Sequence, residues 1–124
     1  MPTPHKPRSP HHYHFLLAAG IGEPMIARAY RIAERWGAEI HHVVVDLAWM
    51  SGESYTAALA ASLGLPVLDP VAPGPPPPTL DGYVLVSAIE RPPDEIASIA
   101  ADSARRGIAL ALTSRAPASR AALE

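Results

Sequence analysis

Six histidines and one row of arginines are the groups in this 124-residue chain whose types and spacing offer chemistry. His11, His12 and His14 stand together as HHYH, and His41-His42 form a second pair. Neutral imidazole is a good zinc ligand, so three such rings and a fourth donor would make a metal site. No HExxH pair and no Cys/His spacing accompanies them. The chain has no cysteine, which removes disulfides and thiolate chemistry together. Acid–base catalysis needs a carboxylate and a histidine, or two carboxylates, in one pocket. Asp46 follows His41 by five positions, an offset that sends the two side chains to different faces of a helix. A small stand-alone metal-dependent enzyme using His41, His42 and Asp46 is therefore the rival reading. There is no Gly-x-Ser-x-Gly elbow, no phosphate-binding Gly-x-x-x-x-Gly-Lys-Ser/Thr and no Asp-x-Asp. No catalytic residue, metal or cofactor is assigned.

The arginines are the stronger signal. Residues 1–36 carry five basic and two acidic side chains, whereas the remainder carries five and ten. Arg28, Arg31 and Arg35 follow i, i+3, i+7 and share one face of a helix. Such a face can contact phosphates, as a nucleotide second messenger, an anionic leaflet or an acidic partner would present them. An ordinary solvated face is the plainer alternative. The overall charge of −2 gives no reason to expect nucleic-acid binding.

The elements that would hold these groups follow from periodicity and punctuation. Four prolines within residues 1–10 predict a disordered arm. A short helix is expected from about His12 to Ala19, ended by Gly20. The next helix starts near Pro24 and carries an apolar stripe of Met25, Ile26, Ala29, Ile32, Ala33 and Trp36, with Gly37 as its cap. Trp36 is expected to pack in the core. EIHHVVVDL, residues 39–47, has strand propensity in its valines but helical spacing in Ile40, Val43, Val44 and Leu47, and a helix is expected. Ser51 caps a third helix, Gly64 ends it, and Leu65, Val67 and Leu68 follow as a short buried strand with Pro66 at a sheet edge. PVAPGPPPP is a polyproline connector. YVLVSA is a strand, Pro92-Pro93 open a helix with Asp94 and Glu95 in its first turn, and Ile108 to Leu112 form another strand, so the set makes a βαβ unit. Ser114 would cap a final short helix. The fold class is α+β: a helical N-terminal half, a polyproline connector and a small βαβ C-terminal half. The expected divisions are an arm at 1–10, a helical subdomain at 11–69, a connector at 70–79, an α/β subdomain at 80–122, and a cloning-site remnant at Leu123-Glu124.

The stretch Met50 to Asp69, MSGESYTAALAASLGLPVLD, resembles the N-terminal domain of type II secretion and pilus ATPases. The residues that carry the likeness are Met50, Ser51, Glu53, Tyr55, Ala58, Leu59, Ala60, Leu63, Gly64, Leu65, Pro66 and Asp69. The chain is also similar to the N-terminal region of membrane-bound family 2 glycosyltransferases of proteobacteria. Phe15 to Ile21 fits the helical lead of that version, and IALALTSRAPASRAAL fits its tail. The resemblance implies a non-catalytic regulatory or docking domain at the cytoplasmic N-terminus of a larger inner-membrane protein. Its partner would be the rest of its own parent chain or an inner-membrane protein. Some domains similar to this one bind cyclic di-GMP through Arg-Leu-Gly-x-x-Leu-Val-x-x-Gly. Here the arginine falls on Glu39, the first glycine on His41 and the second on Ala48, and a carboxylate at Glu39 would repel a phosphodiester. No apolar run approaches the roughly 18 residues that span a bilayer, and the N-terminus lacks a signal-peptide core, so a cytoplasmic domain is expected.

Overall fold

The structure, a computed structural model, describes residues 6–70 and 77–114. The chain opens with a 3₁₀ helix, η1 (Pro10–Ala19), followed by α1 (Glu23–Trp36), α2 (Ile40–Asp46) and α3 (Gly52–Leu63). A hairpin of β1 (Thr79–Leu80) and β2 (Tyr83–Ser87) then leads through α4 (Pro93–Arg105) to β3 (Leu110–Thr113). The architecture is α+β. The sheet order is β1-β2-β3, with β1 antiparallel and β3 parallel to β2.

Local chemistry accounts for most of these elements. The Ser51 hydroxyl accepts from the Ser54 amide at 3.0 Å, filling one of the orphan donors of the α3 first turn. Gly64 ends α3 at φ +69°, a conformation open to glycine without a Cβ penalty. α2 is helical despite its valines because Ile40, Val43 and Val44 all reach the core from one face. At its start Glu39 and His42 form a reciprocal capping pair. Asp81 and Gly82 take φ of +51° and +83°, the geometry of a tight primed turn, and so close the β1–β2 hairpin.

One core runs through both halves. Tyr13, Leu16, Ile26, Val43, Val44, Tyr55 and Leu59 from the helices are continuous with Ala88, Ile96 and Leu112 from the βαβ unit. β3 is buried at all four positions because β2 lies on one side and the chain at Val67 on the other.

Several expectations need correction. The strand anticipated at residues 65–68 is a single parallel bridge, Val67 to Leu112, and Val67 is exposed because it lies at the sheet's rim. Trp36 is 49% exposed, and Met25 is exposed as well. α1 packs on both α2 and η1 and buries Ile26, Ala29 and Ala33, while Met25 and Trp36 fall at the edge of that stripe and stay exposed. Residues 6–10 of the anticipated arm are docked: Pro7 is buried and Arg8 is tied down by two carboxylates. Most of the polyproline connector, the final helix and Leu123-Glu124 lie outside the described residues.

Candidate functional site

The two histidine groups have different fates. His11, His12 and His14 sit exposed on η1, with ring centres 5.5–5.9 Å apart where they touch. His41 is fully buried. Its Nε2 lies 2.8 Å from the Ile89 carbonyl oxygen, which can only accept, so Nε2 carries the proton. Nδ1 is then an acceptor, and the Tyr13 hydroxyl donates to it at 2.7 Å. The ring is stacked against Tyr55 at 5.3 Å and Tyr13 at 5.9 Å. Burial lowers the His41 pKa to about 3, with the neighbouring His42 ring adding to the effect. Burial also raises the Tyr13 and Tyr55 hydroxyls well above the usual phenol range. His41 is therefore a neutral bridge between η1, α2 and the turn after β2, with no lone pair or proton left for a substrate.

The other members of the rival site do not join it. Asp46 is exposed at the far end of α2. The His42 Nε2 shares the Ile89 carbonyl at 3.2 Å, and its Nδ1 accepts from the Glu39 amide at 3.3 Å. Among the described residues no group of three His, Asp or Glu side chains converges as a metal site would require.

Two further polar clusters hold the fold together, and neither was anticipated. The Arg8 amide donates to the buried Glu39 carboxylate at 2.7 Å, and its guanidinium meets both Asp94 oxygens at 3.3 Å. This clamp joins the N-terminal segment to the starts of α2 and α4. The Asp69 carboxylate accepts from the Thr113 hydroxyl at 2.7 Å, the Ser114 amide at 2.8 Å and the Ser114 hydroxyl at 2.9 Å. That ties the end of β3 to the segment after α3, so Ser114 spends its hydroxyl on Asp69. Both clusters link residues more than 30 positions apart, and no short-range pattern marks them.

Arg28, Arg31 and Arg35 behave differently. All three are exposed on α1, on the side opposite buried Ile26, Ala29 and Ala33. Among the described residues none of them forms an ion pair. At about 100° per residue, exposed Met25 and Trp36 and half-buried Ile32 fall between the arginines and the core stripe. The helix thus presents a basic row with an apolar flank.

A second open surface is an apolar groove of about 830 Å³ between η1 and α3. Phe15, Trp49 and Met50 are its large lining side chains, Ala57 and Ala61 are among its small ones, and Ser54 and Ser62 are its polar members. The alanine spacing of TAALAAS was the available signal, hidden because the same residues also read as ordinary helix formers.

No family model matches this chain, and no curated protein or solved structure matches it either.

Proposed function

We propose that this chain is a non-catalytic docking and regulatory domain that works through the α1 face as part of a larger bacterial membrane-associated protein. The observation that carries the reading is the row Arg28, Arg31 and Arg35, turned to solvent and without ion pairs among the described residues, while the clusters at His41, Arg8 and Asp69 are spent on internal contacts. Three charges aligned on one rigid helix are suited to meeting a partner, not to performing a reaction.

The resemblance of Met50–Asp69 and of the Phe15–Ile21 lead supports a family 2 glycosyltransferase as the parent. Residue-level support for the shared module, though not for one parent over the other, comes from Ala48, which holds φ +58°. This left-handed conformation is one that glycine adopts freely, and the related motif has glycine at that position. A nucleotide such as cyclic di-GMP gains no comparable support, because the motif arginine is replaced by Glu39, which is buried and engaged with Arg8. The docking domain of a secretion or pilus ATPase is the second reading, with which the capped helix from Ser51 to Gly64 agrees equally well because the two families share it. The stand-alone enzyme loses its support with His41, whose ring nitrogens are both engaged.

Reading the source gene past codon 124 tests the parent. Membrane-spanning segments with Asp-x-Asp are expected, and a phosphate-binding loop would move the assignment to the ATPase. Photo-crosslinking from position 31 in the full-length parent tests the docking role. Cross-links that disappear on Arg28→Glu/Arg35→Glu substitution are expected, and an absence of cross-links would overturn it.

A further inference from the structure

We infer that the α1 face is a seat for an anionic lipid surface; this deepens the docking reading above and rests on it. Three features of α1 point to a bilayer. The first is spacing. Arg28, Arg31 and Arg35 extend over about 10 Å of helix, a straight row that can meet several headgroup phosphates lying in one plane. The second is the flank. Met25, Ile32 and Trp36 run alongside the arginines, with Trp36 49% and Met25 38% exposed. Indole belongs at the boundary of water and hydrocarbon, because its ring is apolar and its N–H needs a polar partner. The third is segregation. The two carboxylates of α1, Glu23 and Glu34, fall on the opposite flank, away from Trp36, and Glu34 alone lies beside an arginine of the row, Arg31. A helix lying on a surface buries one sector, and here that sector holds the cations and apolar groups together while the anions face away. A soluble acidic partner would account for the arginines but would give exposed Met25 and Trp36 no role.

The lipid contact is modest by design. Each arginine near an anionic leaflet contributes about a factor of five in binding, so three supply on the order of 100-fold. That gives the free chain reversible, salt-sensitive binding to a strongly anionic surface at high lipid, and it suffices to orient a domain already tethered nearby.

The test uses the 124-residue chain with Trp49→Phe, so that Trp36 alone reports. Phosphatidylglycerol-rich vesicles are expected to sediment the chain and shift its Trp36 emission to the blue. Pure phosphatidylcholine vesicles are expected to do neither. Arg28→Gln/Arg31→Gln/Arg35→Gln is expected to weaken binding by on the order of 100-fold, and high salt to do the same. Far-UV circular dichroism and a urea midpoint establish that this variant folds; if it does not, the three single substitutions replace it, each expected to weaken binding several-fold. No binding to phosphatidylglycerol vesicles, equal binding to both vesicle types, or binding untouched by the arginine substitutions would overturn the inference. So would a salt-sensitive dimer in place of vesicle binding, which would give the face to a second copy. Cross-links to protein from position 31 without vesicle binding would overturn the lipid seat and leave the docking reading standing.

Discussion

α1 and α2 are neighbours that pack on each other, and both are rich in polar side chains, yet they use them in opposite ways. α2 turns His41 inward, where Tyr13 and Ile89 take both ring nitrogens and burial holds the ring neutral. α1 turns Arg28, Arg31 and Arg35 outward, with no ion pair on them among the described residues. His41, which suggested catalysis, is structural, and the arginines, most easily dismissed as solvated surface, are still available. Availability depends on whether a polar group has already been matched within the fold, because an unmatched buried group is costly and an unmatched exposed one is not.

The contrast breaks hardest at His41. His41→Ala would strip the hydrogen bonds from the Tyr13 hydroxyl and the Ile89 carbonyl and open a cavity beneath Tyr55. A loss of about 3–5 kcal/mol is expected in urea denaturation, a large part of the stability of a domain this size. A loss below about 1 kcal/mol would mean that the bridge is not a structural element.

Acid should expose the same residue. The His41 pKa is lowered from 6.5 to about 3 on folding. Below pH 6.5 the unfolded chain takes up a proton that the folded chain excludes, so stability is full above that pH and declines toward pH 3. The expected slope approaches about 1.4 kcal/mol per pH unit. It is best measured as the difference between the parent chain and His41→Gln, since other titrating groups cancel in that difference. Equal slopes in the two proteins would remove His41 as the acid-sensitive group.

The two tyrosines stacked on His41 sharpen the comparison further. The Tyr13 hydroxyl is bonded to Nδ1, whereas the Tyr55 hydroxyl is buried with no hydrogen-bond partner among the described residues. Tyr13→Phe is expected to cost about 1–2 kcal/mol in thermal or urea unfolding. Tyr55→Phe keeps the ring stack and sheds an unmatched hydroxyl, so it should be neutral or stabilising by up to about 1 kcal/mol. The reverse order would show that the Tyr55 hydroxyl carries the network.

What could be foreseen from sequence divides along the same line. The Ser51 cap, the Gly64 terminus and the helical spacing of Ile40, Val43 and Val44 are local patterns, and each stands where it was expected. The Arg28–Arg31–Arg35 row was legible for the same reason, since helical spacing alone puts it on one face. The Asp81-Gly82 turn was equally local and went unread because the proline run before it masked β1. His41 was not legible: its partners lie 28 and 48 positions away, so its role depends on the finished packing. The Asp69 clamp spans 44 and 45 positions and was hidden likewise. Trp36 lies at the edge of the α1 stripe, and periodicity alone does not say that only Ile26, Ala29 and Ala33 are buried.

The smallest expected change in stability belongs to the arginines, and it is the most discriminating. Arg28, Arg31 and Arg35 are exposed and, among the described residues, lack ion-pair partners, so replacing all three with glutamine removes no intramolecular contact made by their charges. Glutamine is nearly as good a helix former as arginine, and the like charges at i, i+3 and i+4 repel slightly, so these terms oppose each other. A change within about 0.5 kcal/mol is expected for the triple variant, against several for His41→Ala. If the triple variant instead loses more than about 2 kcal/mol, the face is already matched within the fold and cannot also be free for a partner. Near-neutral stability would leave the alignment of three unpaired charges without a folding explanation. The α1 face then stays free for a partner, as the docking proposal requires.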